Sequence, residues 1–332
     1  MRLVRRAAFS LVMVLTLATG CFASKETREG ADRLEDALGT PSWAQSVDVD
    51  TSVSGLTDDV VETVVSLKTD ATADEIATFV VDHPDRVEDA GLGAGFGDLR
   101  FVTVHGAVLT VPAADTTDET AVRAAVERWQ RLLPQLGTKP TADLSRETGE
   151  ASFVAQLGSG GADAVAELVG LLLVKSELTV PADAWSVSAE DGDLGMTLSS
   201  YTLPTAGEVR IWGDLVRALQ LLPSEFRATE LSLQRLEGRT VVDQMLLMPD
   251  GVTRENITPA RYGDQLWPAL RGQLRAVHAI HGPWSYLVQW APVDVSSWTT
   301  ILLSLLDDDG PIDNHDPASL WSAAAKEFVD GL

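Results

Sequence analysis

The chain has 332 residues, 45% of them hydrophobic, with a mean hydropathy of +0.06. That is enough apolar material for two or three cores, and it excludes a wholly disordered, collagen-like or disulfide-scaffold protein. Lys and Arg number 25 against 49 Asp and Glu, a net charge of −24 whose field repels phosphate backbones, so nucleic acid is not an expected partner.

Arg2, Arg5 and Arg6 precede an apolar run from Ala7 to Ala18, and the small residues Thr19 and Gly20 lead to Cys21. These are the three parts of an export signal, and about a dozen apolar residues fall short of the ~20 that span a bilayer. Arg5-Arg6 raises the folded-export route, but Val4 and Ala8 depart from that pattern and favour export unfolded. Ala18-Thr19-Gly20-Cys21, with Leu17 before it, resembles the lipobox of bacterial lipoproteins, with Ala18 where that family more often has Leu, Val or Ile. The resemblance implies that residues 1–20 are removed as a signal peptide and that Cys21 is lipidated. It also implies that the product is held on the extracytoplasmic face of the cell membrane. Cys21 is the only cysteine, so it has no disulfide partner. A conventional signal peptide cut near Ala18 or Ala23 is the competing reading. Residues 21–33 are polar and lack an evident buried face, which reads as a tether lifting the body off the membrane. Two acyl chains attach stably, so no basic patch is required.

Beyond the tether the rhythm alternates between periods of two and 3.6. Helices are expected to start near Thr72, Asp118, Asp163, Glu208 and Pro259, at intervals of about 45 to 50 residues. Val122, Val126, Trp129 and Leu133 show the three-and-four spacing of a helix packing one face. Strands such as the one carrying Val61, Val65 and Leu67 opposite Glu62 and Ser66 bury one face and leave the other wet. Hairpins are expected at His105-Gly106 and at residues 190–193. The order is β(60–68) α(72–83) β(99–104) β(107–111) α(118–136) β(141–146), and then β(151–157) α(162–176) β(178–188) β(194–200) α(207–222) β(228–235). A third, partial copy begins at Thr240 and ends with a helix from Pro317 to Val329.

The pattern is βαββαβ, recurring every ~90 residues, and it resembles tandem ferredoxin-like units: α+β, with antiparallel sheets covered by helices on one face. The expected domains are 34–150, which includes a leading helix and strand, 151–238 and 239–332. One large α+β domain is the alternative. That fold hosts many activities and implies none.

Candidate sites are few. Trp284, Tyr286, Val288 and Trp290 alternate along one strand, so they form either an exposed platform for a sugar or a partner, or the core beneath the preceding helix. Asp307, Asp309 and Asp313, with Asp308, Asn314 and Asp316, gather the oxygen donors that calcium prefers, against a solvated acidic loop as the plain reading. His278 and His281 are three apart but lack a third ligand nearby. His83 and His105 sit beside Pro84 and Gly106 and belong to no nucleophile pattern. Ser159 lies in a Gly-Ser-Gly-Gly turn without the lysine of a phosphate loop, and Gly91, Gly93, Gly95 and Gly97 mark a loop.

No catalytic residues and no resident cofactor are expected. The leading reading is a membrane-anchored binding module whose partners are the lipid anchor and an envelope protein or polymer. A secreted hydrolase using two carboxylates from distant loops is the alternative, and a solute-capturing transport accessory is a weaker one.

Overall fold

The computed structural model describes residues 23–54, 58–93, 96–114, 117–136, 140–159, 161–174, 183–236, 238–292, 300–306 and 317–332. Cys21, Asp307, Asp309 and Asp313 lie outside them. The chain divides into two compact units, one of residues 1–104, 108–126 and 144–149, the other of 105–107, 127–143 and 150–332.

In the first unit α1 (Lys25–Leu38) precedes the hairpin β1 (Ala44–Ser54) and β2 (Asp58–Leu67). α2 (Ala73–Asp89) then leads to β3 (Asp98–Val102), which lies parallel to β2, and β3 turns back into β4 (Val108–Val111). The turn passes through Gly106, whose φ of 79° suits a residue without a Cβ. Thr72 caps α2 by accepting from the Glu75 amide while Glu75 reaches back to the Thr72 amide, a reciprocal capping box.

Over the described part of the expected tether, residues 23–33, the structure shows a helix in place of a linker. Residues 25–38 form α1, capped by Ser24, and bury Thr27, Gly30, Ala31, Leu34 and Leu38. Most of that stripe is small or polar, so its helical spacing carries little hydrophobic signal. The helix is fixed by Thr27 and the Ser24 amide donating to the Asp59 carboxylate at 2.5 and 2.9 Å, and by Arg33 donating to the Ala90 carbonyl. Those bonds, with the Arg28 charge nearby, hold the Asp59 carboxyl below its ordinary range.

α3 (Glu119–Leu132) carries the chain into the second unit, and β5 (Thr141–Leu144) follows it. There the elements are β6 (Ala151–Ser159), α4 (Gly161–Val174), β7 (Ala184–Asp191), β8 (Leu194–Ser200), α5 (Ala206–Leu219), β9 (Arg227–Leu236), β10 (Arg239–Met248), α6 (Pro259–His278), β11 (Trp284–Pro292), β12 (Thr300–Leu306) and α7 (Pro317–Asp330). The sheet is mixed. β6 with β7, β8 with β9 and β10 with β11 are parallel across a helix, whereas β7 with β8, β9 with β10 and β11 with β12 are antiparallel hairpins.

The fold is thus α+β with a recurring strand–strand–helix unit, and six helices, α2 to α7, each follow a pair of strands. The ferredoxin-like order and the purely antiparallel sheets are not what forms. That order would insert a third strand between β6 and β7, but Phe153 pairs directly with Trp185 and their rings stack at 4.7 Å. Alternation along a strand fixes which face is buried, while the choice of neighbour lies in the connections. Short helical crossovers here favour the next strand in the chain.

Within the second unit, adjacent helices α4 to α7 pack side by side over one sheet face. Trp185, Val187, Leu198, Leu233, Val242, Leu246, Tyr286 and Leu303 are buried beneath them. Each aliphatic side chain so covered contributes roughly 1.5–3 kcal/mol. Ser186, Ser188, Thr197, Ser199 and Gln234 occupy the alternate positions and are half-buried. At β12 the Ser304 amide donates to Ser322 Oγ of α7 at 3.0 Å, so the helix occupies a main-chain donor of this terminal strand.

Candidate functional site

The polar groups buried deepest in the first unit surround His83. Its ring, on α2, is fully buried and lies 3.0 Å through Nε2 from Thr63 Oγ1 on β2. Burial, then the positive charges of Arg146 and Arg86, push the imidazole down to about 3, so it stays neutral near neutral pH. Arg146, 1% exposed, donates to the Val80 carbonyl at 3.3 Å and to the Gly97 carbonyl at 2.6 Å.

The reason for the first of those bonds lies four residues along α2. Pro84 has no N–H, so the carbonyl of Val80 loses its helical donor in a dry environment. The guanidinium supplies the missing donor. Burial lowers Arg146 to about 10, opposed by the charge of Asp98, and it therefore remains cationic. The cluster is buried and braces the fold.

In the second unit Asp183, fully buried, accepts from the Ala151 amide at 3.0 Å and from Arg128 at 3.1 Å. It thereby sets the parallel register at the start of β6 and β7. Tyr286 donates to Gln273 Oε1 at 2.5 Å beneath α6, and burial pushes its phenol far up.

The aromatic stripe is core. Trp284, Tyr286 and Trp290 are 5%, 0% and 3% exposed, so the strand presents no aromatic platform. The same alternation serves a covered face because α6, immediately before β11, lies across it. His278 and His281 are exposed, and among the described residues no group of three or more His, Cys, Asp or Glu is placed to hold a metal ion. Gly161, with a φ of 58°, makes the turn from β6 into α4. A Cβ there would meet Asp191 and Met196 at 3.5 Å, an ordinary contact, so it is the positive φ that favours glycine.

The helical layer of the second unit carries a feature that sequence reasoning missed. Arg271 and Arg275 are one helical turn apart on the exposed side of α6. The Arg271 guanidinium lies over Trp267 at 5.3 Å and over Phe328 of α7 at 5.5 Å, and Arg275 lies over Phe328 at 5.2 Å. Both guanidinium groups thus lie within cation–π distance of aromatic rings. Beside Arg275 a groove between α5 and α6 is floored by Ala218, Gly272, Ala276 and Ala279 and rimmed by Leu221, 55% exposed. The helices approach so closely that a Cβ on Gly272 would stand 2.9 Å from that of Ala218. Phe328 stands 57 positions after Arg271, which hides this pairing from any local pattern.

No protein-family model matches the chain, and neither the curated proteins nor the solved structures gave a match. No helix among the described residues is long and apolar enough to cross a membrane.

Proposed function

We propose that this chain is a lipid-anchored protein of the extracytoplasmic membrane face that works by binding an envelope protein or polymer. The observation carrying the reading is the sequence Ala18-Thr19-Gly20-Cys21 placed directly before a folded helix. Only Phe22 and Ala23 separate Cys21 from Ser24, the N-cap of α1. Three Cα steps reach at most about 10 Å, so an anchor on Cys21 would hold the first unit close against the bilayer. Several buried polar side chains brace the fold, Arg146 on two carbonyls, Asp183 on a strand start and Gln273 on Tyr286, which suits a rigid binding scaffold.

The reading is tested by intact mass and detergent partitioning of the protein purified from bacterial membranes, alongside Cys21→Ala. A diacyl-sized mass increment and detergent-phase partitioning, both abolished by the substitution, are expected. A soluble, unmodified wild-type protein would overturn the anchoring.

A further inference from the structure

We propose that the free edge of β1 is a docking site for an extended, basic segment of a partner protein, which adds to the sheet as one more strand. The proposal rests on the binding reading above and deepens it by naming the chemistry of the partner. β1 is paired with β2 alone and stands at the end of the strand order. Every second residue of such a strand turns its N–H and C=O away from its one neighbour. The two terminal strands are finished differently. β12 has 7 residues, and Ser322 of α7 accepts from one of its amides. β1 has 11, more than any other described strand, and no hydrogen bond reaches the outer main chain of residues 46–53 among the described residues. An edge that needs only protection is ordinarily kept short.

The side chains of β1 define the strand that fits. Asp48, Asp50 and Ser52 project from one face and are exposed, while Val49, Thr51 and Val53 alternate with them and are half-buried. Asp48 accepts from Ser46 Oγ at 2.9 Å, and neither it nor Asp50 enters an ion pair among the described residues. Glu62 stands directly across from Asp50 and adds to the negative charge of that face, with Arg100 4.0 Å from it. Unpaired acids are common on this chain, but these two flank main chain that is itself unpaired. A second copy is the poorer occupant. β1 paired antiparallel with itself about Val49 would set Asp48 opposite the partner's Asp50, and like charges directly opposite are destabilising. A segment with Lys or Arg at alternate positions places cations beside Asp48 and Asp50, and β-branched residues between them extend the face of Val49, Thr51 and Val53. Main-chain bonds then give affinity and the alternate side chains give specificity.

The test uses the full chain with Cys21→Ala, so that its outcome is independent of anchoring, which intact mass reads separately. Fluorescence anisotropy follows a labelled short peptide that alternates Lys with Val. Its two controls carry Gln for Lys, or keep the lysines and are N-methylated along the main chain, which preserves charge and removes the donors. The Lys peptide is expected to bind at least about tenfold more tightly than the Gln peptide and at least about fivefold more tightly than the N-methylated one. Asp48→Lys with Asp50→Lys should weaken it at least about tenfold. The same charge change at Glu190 and Asp191, exposed in the second unit, should weaken it less than about twofold, because screening confines the attraction to nearby charges. Thermal melts check that each variant is folded, and the comparison of peptides on the unsubstituted edge stands without them. No binding, equal binding of the Lys and N-methylated peptides, or equal loss in the two double variants would overturn the proposal. Sedimentation showing a dimer that Asp48→Lys with Asp50→Lys dissociates would overturn it in favour of a second copy.

Discussion

Helices α2 and α6 face the same difficulty and meet it differently. Each contains an internal proline, Pro84 and Pro268, and each turns a polar residue, His83 or Gln273, into the sheet beneath it. In α2 the carbonyl stranded by the proline belongs to Val80, 0% exposed, and Arg146 is buried to serve it. In α6 the corresponding residue, Asp264, is exposed, and water can take the role. The lesson is that a helix proline demands a partner only where the orphaned carbonyl is dry.

The largest effect should come from breaking the α2 arrangement. Arg146→Ala strips donors from two carbonyls and should cost about 3–5 kcal/mol in urea unfolding. His83 should give the next largest effect, through pH. Its folded value of about 3 lies below the ~6.5 of a free imidazole, so the unfolded chain binds the extra proton. The contribution is complete above pH ~6.5 and is lost as pH falls toward 3, the loss amounting to about 3 kcal/mol near pH 4.5. His83→Gln should flatten the stability profile between those values, and an unchanged slope would assign it to other groups. On the α6 side, Tyr286→Phe leaves Gln273 Oε1 buried without its donor and should cost about 1–2 kcal/mol at any pH from 5 to 8.

The sharpest test of the comparison uses the prolines themselves. Pro84→Ala restores a main-chain donor to Val80, so it should reduce the cost of Arg146→Ala by about 1 kcal/mol in a double-mutant cycle. The same cycle built on Pro268 should show no coupling to Arg146→Ala. Pro268→Ala alone should shift stability by less than about 1 kcal/mol, the smallest effect of the set, because the helical bond it restores is offset by a freer unfolded chain.

Much of this is legible in the sequence. Alternation along Trp185, Val187 and Ala189, or the three-and-four spacing of Val122, Val126 and Trp129, reports local burial; the helix expected over 118–136 stands at Glu119–Leu132, whereas the strand expected over 178–188 stands at Ala184–Asp191, with 178–182 outside the described residues. Neighbour choice is not legible, since β6 beside β7 and β6 beside a later strand require the same alternation. The leading helix is legible from residue 34 on, but the first turns of α1 escape a sequence reading because Thr27, Gly30 and Ala31 do not look like a buried stripe. The aromatic strand is ambiguous for a different reason, since a covered face and an exposed one carry one pattern. The bracing role of Arg146 depends on Val80, 66 positions away, and that distance leaves no local trace.

Chain-order pairing of the strands has a kinetic consequence. Within each unit a strand finds its partner either across a tight turn or after one helix, so strand pairing closes loops no longer than one helical crossover. Such a chain can begin folding at any hairpin and grow outward one hairpin-plus-helix at a time, as linear repeat arrays do. A polypeptide that emerges on the far side of a membrane in an extended state, N-terminus first, would then acquire structure in the order in which it arrives.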